Sequence, residues 1–298
     1  MFKCGYISII GIPNVGKSTL LNRLCGEKIA IVSPRAQTTR NVITGVVTTQ
    51  DMQAIFLDTP GIHAPKTRLG KYMNKVADGS MGNADCLLFV VDATRPQIRD
   101  TELAILDRLS KVRKPICLVI NKVDAVEKES LLKIIGEYSS KMKFREIIPV
   151  SARTGDGIEL LCSIIEDMLP EGHMLFPEDY LTDMPEKQLC AEYIRESILR
   201  YLRDEVPHGV GVVVDTFKER EDGVIEIAAT IMCERDSHKS ILIGKGGEML
   251  KKIGTNSRTQ MERLLCTKVF LQLWVKVKSG WKDNMSALRD LGYTERKD

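Results

Sequence analysis

Gly11-Ile12-Pro13-Asn14-Val15-Gly16-Lys17-Ser18 sets two glycines, a lysine and a hydroxyl at the spacing of a phosphate-binding loop. Glycine is needed because backbone N–H groups must turn inward around phosphate oxygens, where a Cβ would obstruct them. Lys17 is expected to reach the β- and γ-phosphates of a nucleotide, and the Ser18 hydroxyl to coordinate Mg²⁺. Thr19 opens the helix whose positive N-terminus faces the same anions. Downstream lies Asp58-Thr59-Pro60-Gly61. Its carboxylate suits the metal shell and the bare amide of Gly61 suits a γ-phosphate, so 58–61 is the expected triphosphate sensor. Asn121-Lys122-Val123-Asp124 carries a carboxylate that matches the ring N–H and exocyclic amine of guanine, which adenine lacks. Such pairing rejects an analogue without those donors by about 10⁴–10⁵-fold. The Lys122 stem is placed to cover the base plane, and Ser151-Ala152 to close over the guanine carbonyl through backbone N–H. Any one segment arises by chance; all of them in this order imply a guanine-nucleotide site.

A metal-binding threonine is expected between the first helix and the second strand, where Gln37-Thr38-Thr39-Arg40 falls. Thr39 is the preferred ligand beside Ser18 and Asp58, and Thr38 the alternative; an ordinary loop threonine is the plain reading of either. Small regulatory GTPases place a glutamine after Asp-x-x-Gly to orient the attacking water. Here that residue is Ile62, which cannot do so. His63 comes next, but a loop histidine is more often solvated than catalytic. Several GTPases that lack that glutamine carry an asparagine at this loop position; that resemblance implies that Asn14 compensates by helping to hold a potassium ion near the transferring phosphoryl group. Catalysis is thus assigned to Asn14, Lys17, Thr39 and Gly61, with slow intrinsic hydrolysis raised by potassium or by a partner.

These residues need elements to hold them. Apolar strands are expected at 6–10, 43–47, 53–57, 86–91, 116–120 and 147–150, with amphipathic helices such as 100–111, 129–142 and 157–169 among them. That alternation implies an α/β domain over 1–172: a mostly parallel six-stranded sheet with helices on both faces. The link 48–52 is too short for a crossover, so the second and third strands should be antiparallel. Residues 173–186, with Pro177 and Pro185, read as a linker. A second, α+β domain over 187–298 is expected to run helix, strand, strand, helix, helix, strand, with the helix 248–265 interrupted at Gly254.

At 298 residues, 43% apolar and 28% charged, the chain has the composition of an ordinary globular protein of about two domains. No apolar run approaches the roughly 20 residues that span a bilayer. With a strand beginning at residue 6, no signal peptide is expected. The eight cysteines include no Cys-x-x-Cys pair, which argues against a zinc or redox motif and fits a reducing cytoplasm. Lys plus Arg number 23 against 19 acids over 1–172, 7 against 15 over 173–238, and 13 against 6 over 239–298. A basic final segment after an acidic one suits a polyanion, although a solvated surface explains an imbalance of this size equally well.

Ile243-Gly244-Lys245-Gly246-Gly247 has the Gly-x-x-Gly form of a KH-type clamp, which grips about four nucleotides of RNA by their backbone. Lys239, Lys245, Lys251, Lys252 and Arg258 surround it and supply the electrostatic attraction. The expected order of elements matches the type II KH fold. Trp274 and Trp281 are candidates for base stacking, but Trp274 lies in an apolar strand and is expected in the core.

The pairing of Gly-Ile-Pro-Asn-Val-Gly-Lys-Ser-Thr-Leu-Leu-Asn, Ala-Gln-Thr-Thr-Arg, Asp-Thr-Pro-Gly-Ile-His and Asn-Lys-Val-Asp with a C-terminal Ile-Gly-Lys-Gly-Gly resembles the Era GTPases of bacteria. The resemblance covers nearly the whole chain, departing at Arg153, where lysine is usual. It implies a GTP/GDP switch that assists small-ribosomal-subunit assembly, its KH domain gripping single-stranded RNA near the 3′ end of 16S rRNA. It also implies presence at the inner face of the cell membrane, for which the sequence offers no anchor; monomer is the default state. The alternatives are a regulatory GTPase whose C-terminal domain binds a protein or an anionic membrane surface, and an RNA-modifying relative. No constellation of acid, base and nucleophile supports the last.

Overall fold

A computed structural model describes residues 1–35, 37–95 and 97–293. Ala36, which begins the Ala-Gln-Thr-Thr-Arg motif, and 294–298, the end of the domain expected over 187–298, lie outside the described residues. The chain divides into two units, Met1–Lys66 with Gly70–Asp183, and Thr67–Leu69 with Met184–Asp298.

The first unit contains β1 (Lys3–Ile10), α1 (Lys17–Cys25), β2 (Ile43–Thr48), β3 (Met52–Asp58), α2 (Arg68–Asn83, whose first two residues are assigned to the second unit) and β4 (Cys86–Asp92). It continues through α3 (Asp100–Leu109), β5 (Ile116–Asn121), α4 (Lys128–Lys141), β6 (Glu146–Val150) and α5 (Ile158–Met168). The strands form one sheet in the order β2-β3-β1-β4-β5-β6, antiparallel only between β2 and β3. β4 and β5 are apolar without alternation and buried at every position, as strands covered on both faces must be. Register brings the functional strand ends together: Asp58 pairs beside Ile9, and Asn121 lies between Asp92 and Val150. The chain order reverses at β1, which places the phosphate loop at the switch point, where such sheets bind ligands.

Residues 173–183 carry no regular element, as their prolines suggest, yet they are fastened to this unit. Buried Gln53 accepts from the Leu175 and Phe176 amides at 2.8 and 3.0 Å and donates to the Phe176 carbonyl at 2.9 Å. Phe176 and Tyr180 stack at 4.8 Å and pack against Cys4, Val46 and Ile55. Val46 N–H donates to the Leu181 carbonyl at 2.9 Å.

The second unit holds α6 (Glu186–Tyr201), β7 (Gly211–Glu219), β8 (Ile225–Cys233), α7 (Asp236–Ile243), α8 (Glu248–Leu265), β9 (Val269–Val277) and α9 (Met285–Asp290). Its sheet runs β7-β8-β9, with β8 and β9 parallel. α8 is unbroken at Gly254, which packs toward Leu273 of β9: a Cβ there would make ordinary contact with Leu273 Cδ1 at 3.4 Å.

The expectation for the two tryptophans is reversed. Trp274 is 56% exposed, because β9 alternates: Phe270, Gln272, Trp274 and Lys276 face outward while Leu271 and Leu273 face the helices. Trp281 is fully buried and its Nε1 donates to the Gly209 carbonyl at 3.0 Å, so it is core and not a stacking platform.

Candidate functional site

The phosphate loop is drawn tight by its own lysine. Lys17 is buried, and its Nζ donates to the carbonyls of Gly11 and Ile12, both at 3.1 Å. Burial lowers its pKa to about 8, against the upward pull of Asp58. Gly16 has φ of 99°, and a Cβ there would lie 2.2 Å from Asn121 Nδ2, so both backbone and packing demand glycine. Gly61 lies against the same loop: a Cβ on it would meet Pro13 N at 2.6 Å. The Thr59 hydroxyl donates to the Ile9 carbonyl at 2.7 Å and anchors the turn that carries Pro60 and Gly61.

Three oxygens from three segments converge beside Lys17. Ser18 Oγ donates to Asp58 Oδ2 at 2.6 Å and lies 2.8 Å from Thr39 Oγ1, which also donates to Asp58 Oδ2 at 3.3 Å. Of the two threonines it is Thr39, buried, that joins this cluster; Thr38 Oγ1 donates instead to the Arg35 carbonyl at 2.7 Å. Burial raises the Asp58 pKa to about 6, with Lys17, Ser18 and Thr39 pulling the other way. Asp58 Oδ1 is buried and has no hydrogen-bond partner. A hydroxyl pair and one carboxylate with an orphaned oxygen form an all-oxygen donor set that fits Mg²⁺.

Asn14 has φ of 69°, and its Nδ2 donates to the Pro34 carbonyl at 2.8 Å, tying the phosphate loop to the loop that carries Thr39. Ile62 is buried and its amide donates to the Gly11 carbonyl at 3.2 Å. His63 is held, not free: Nδ1 lies 2.9 Å from the Gly61 carbonyl and Nε2 lies 3.1 Å from Gln37 Nε2.

At the base-binding end, Asn121 is a brace. Its Nδ2 donates to the Val15 carbonyl at 2.8 Å, while Oδ1 accepts from the amides of Lys122 at 2.8 Å and Ala152 at 3.0 Å. The Ala152 amide, expected to face the guanine carbonyl, is therefore spent on Asn121 in this geometry. Lys122 Nζ donates to the Asn14 carbonyl at 2.8 Å and to Asp92 Oδ2 at 2.6 Å, which ties the end of β5 to the phosphate loop and to β4. Val123 and Asp124 lie in a single 3₁₀ turn after β5. Asp124 Oδ1 accepts from Ser151 Oγ at 2.6 Å, and Oδ2 pairs with the Arg153 guanidinium. The Ser151 hydroxyl first, then Arg153, hold its carboxyl below the usual range, ionised as an acceptor must be.

Three contributions are not legible in the sequence: the pairing of Arg153, which stands out there only as a departure from lysine, and the parts played by Arg23 and Asp92. Arg153 occupies the carboxylate oxygen that a guanine edge would take. Arg23, in the last turn of α1, donates to the carbonyls of Ala152 and Arg153 at 3.1 and 2.5 Å and steadies their loop. Asp92 closes β4 and fixes Lys122. The only signal for Arg23 and Asp92 was position at a strand or helix end.

In the second unit, Gly244, Gly246 and Gly247 all have positive φ (73°, 61° and 84°), which non-glycine residues adopt with strain. A Cβ on Gly246 or Gly247 would meet nothing within 4 Å, so this backbone is open to a ligand. The turn joins α7 to α8 and follows Ile243, the last residue of α7; Lys245 is exposed. Beyond it lies a groove of about 450 Å³, with Leu250, Leu271 and Leu273 in its lining and Lys251 and Arg258 supplying charge. Lys252 does not share it: its Nζ sits 4.4 Å from the Tyr201 ring centroid.

The family model described as a 50S ribosome-binding GTPase matches residues 6–122, and the KH domain model matches 205–282. The chain is 54% identical to GTPase Era of Ruminiclostridium cellulolyticum, over 99% of both chains, and 47% identical to that of Clostridioides difficile, over 99% and 100%. It is similar to a crystal structure of Era in complex with MgGDPNP and nucleotides 1506–1542 of 16S ribosomal RNA. That match has a TM-score of 0.96 and 40% identity, covering 99% of this chain and 100% of the other. An Aquifex aeolicus Era variant bound to GDP·AlF₄⁻ matches with a TM-score of 0.95, 40% identity and the same coverage.

Proposed function

The chain belongs to the Era family of GTPases, and on that footing we propose that it is a GTP-switched RNA clamp acting on the 3′ end of 16S rRNA during small-subunit assembly. The observation that carries the switch is the meeting of Ser18, Thr39 and Asp58 beside Lys17. Ser18, Thr39 and Asp58 would hold Mg²⁺, which would supply positive charge against that developing on the phosphates in hydrolysis. Thr39 reaches the cluster only when its loop folds over the phosphate loop, so triphosphate binding orders that loop. Lys17 exchanges the Gly11 and Ile12 carbonyls for phosphate oxygens. Asp124 reads the guanine edge, which takes Oδ2 from Arg153, and Asn121 keeps the base loops in register. With Ile62 unable to orient water, Asn14 supports hydrolysis by helping to hold K⁺.

The RNA reading is supported by the open glycine turn at 244–247 above its groove, and by the 16S rRNA bound to the Era structure matched above. Phosphates lie against the free backbone while Lys245, Lys251 and Arg258 supply the salt-sensitive attraction. No described helix is long and apolar enough to cross a membrane. The test is binding to a short single strand copying the 16S 3′ end, for the wild type and for Lys245→Asp with Gly246→Asp. Binding lost in the variant, with GTP hydrolysis retained, supports the clamp. Equal binding by both would overturn it, and capture of anionic vesicles in place of RNA would favour a membrane partner.

A further inference from the structure

The nucleotide site lies at the carboxyl ends of the strands; the amino ends of β5 and β6 carry a second concavity, of about 520 Å³. Its lining includes apolar Leu109, Val112 and Phe144, together with basic Lys141, Lys143 and Arg145. Two connections build it. The α3–β5 link contributes Lys114 to the lining and carries Lys111 and Arg113 next to it along the chain, and the α4–β6 link contributes Lys143 and Arg145 just after Lys141. Parallel pairing of β5 with β6 sets these links side by side, and the Arg145 amide donates to the Ile116 carbonyl at 2.8 Å.

Two of the six cations are used within the fold. Lys114 Nζ donates to the carbonyls of Met81, Gly82 and Ala84, at the end of α2, and Lys111 pairs with Asp107 at 2.6 Å. Arg113, Lys141, Lys143 and Arg145 are exposed and make no side-chain hydrogen bond or ion pair among the described residues. Glu146, at the start of β6, is the neighbouring acid along the chain. Cations gathered this way repel one another, and a polyanion relieves the repulsion.

We infer that this face of the nucleotide domain is a second RNA-binding surface, contacting the phosphate backbone of structured RNA through Arg113, Lys141, Lys143 and Arg145. The arrangement disfavours a membrane. A membrane-bound face presents its apolar groups outward, whereas Phe144 is buried and no large exposed hydrophobic residue falls within 109–116 or 141–146. The inference rests on the RNA-binding reading only for the identity of the polyanion.

The test uses the full chain with two RNAs: the short 3′-end strand, and a longer 16S fragment that adds folded stems. Lys141→Glu with Lys143→Glu and Arg145→Glu should weaken binding to the long fragment at least about tenfold and reduce its salt slope by about two to three. Short-strand binding and GTP hydrolysis should not change, and the corresponding glutamine variant should give an intermediate loss. Unchanged affinity and slope on the long fragment would overturn the inference, as would a loss seen only with anionic vesicles. Failure of the wild type to bind the short strand would instead count against the glycine clamp, leaving this face judged on the long fragment alone.

Discussion

Asn121→Ala distinguishes a brace from a base contact. The side chain is 2% exposed and makes three hydrogen bonds, to the Val15 carbonyl and from the Lys122 and Ala152 amides. At about 1 kcal/mol net for each, with a further penalty for orphaned partners, its removal costs roughly 3–4 kcal/mol. At about 2–4 °C per kcal/mol for a domain of this size, the nucleotide-free unfolding midpoint falls by roughly 6–16 °C. Calorimetry of the nucleotide-free variant, beside fluorescence titration with GDP and a GTP analogue, makes the comparison. Both nucleotides should weaken by the same factor, because the loops that Asn121 joins serve both. An unchanged midpoint with a large loss of GDP affinity would refute the bracing argument and return Asn121 to direct contact with the base.

Mg²⁺-dependent nucleotide affinity should be flat between about pH 6 and 8 and fall on either side. Below about 6 the Asp58 carboxyl is protonated and Mg²⁺ must displace the proton; above about 8 Lys17 is neutral and must gain one to meet phosphate. Stability without nucleotide follows the proton count: a carboxyl raised by folding lowers stability as pH rises from 3.8 to about 6, and an amine lowered by folding raises it from about 8 to 10.5. Calorimetric titration in several buffers reads the affinity; a flat profile from pH 5 to 9 would contradict it. Asp124→Asn should shift preference from guanine toward xanthine nucleotides in competition binding, and unchanged GTP preference would overturn its role. Lys251→Ala should weaken RNA binding severalfold while Lys252→Ala changes it little; the reverse order would place the RNA on the Tyr201 side of α8. Asn14→Ala should abolish potassium stimulation of GTP hydrolysis, and stimulation that persists would remove Asn14 from that role.

The first domain was legible because chemistry and topology coincide there. Asp58 and Asn121 terminate mostly apolar strands, the phosphate loop follows another, and the short link 49–51 fixes one antiparallel pair. Partnerships among exposed charges carry no such period, so the Arg153–Asp124 pair and the grip of Arg23 on its loop could not be read. Trp274 is misplaced for a different reason. Phe270, Gln272, Trp274 and Lys276 alternate with Leu271, Leu273, Val275 and Val277. Taken at period two, that run sets Trp274 beside Gln272 and Lys276, but its average hydrophobicity suggested core. Residues 173–183 lack any period, and only buried Gln53 hints that a backbone must lie against β3.

The central claim is that nucleotide state controls RNA capture. The direct measurement is the affinity of the wild-type chain for the 16S 3′-end strand, with a non-hydrolysable GTP analogue and with GDP, at matched salt and Mg²⁺. Binding should be tighter, and dependent on RNA sequence, with the analogue. Identical affinities in the two states would contradict the claim.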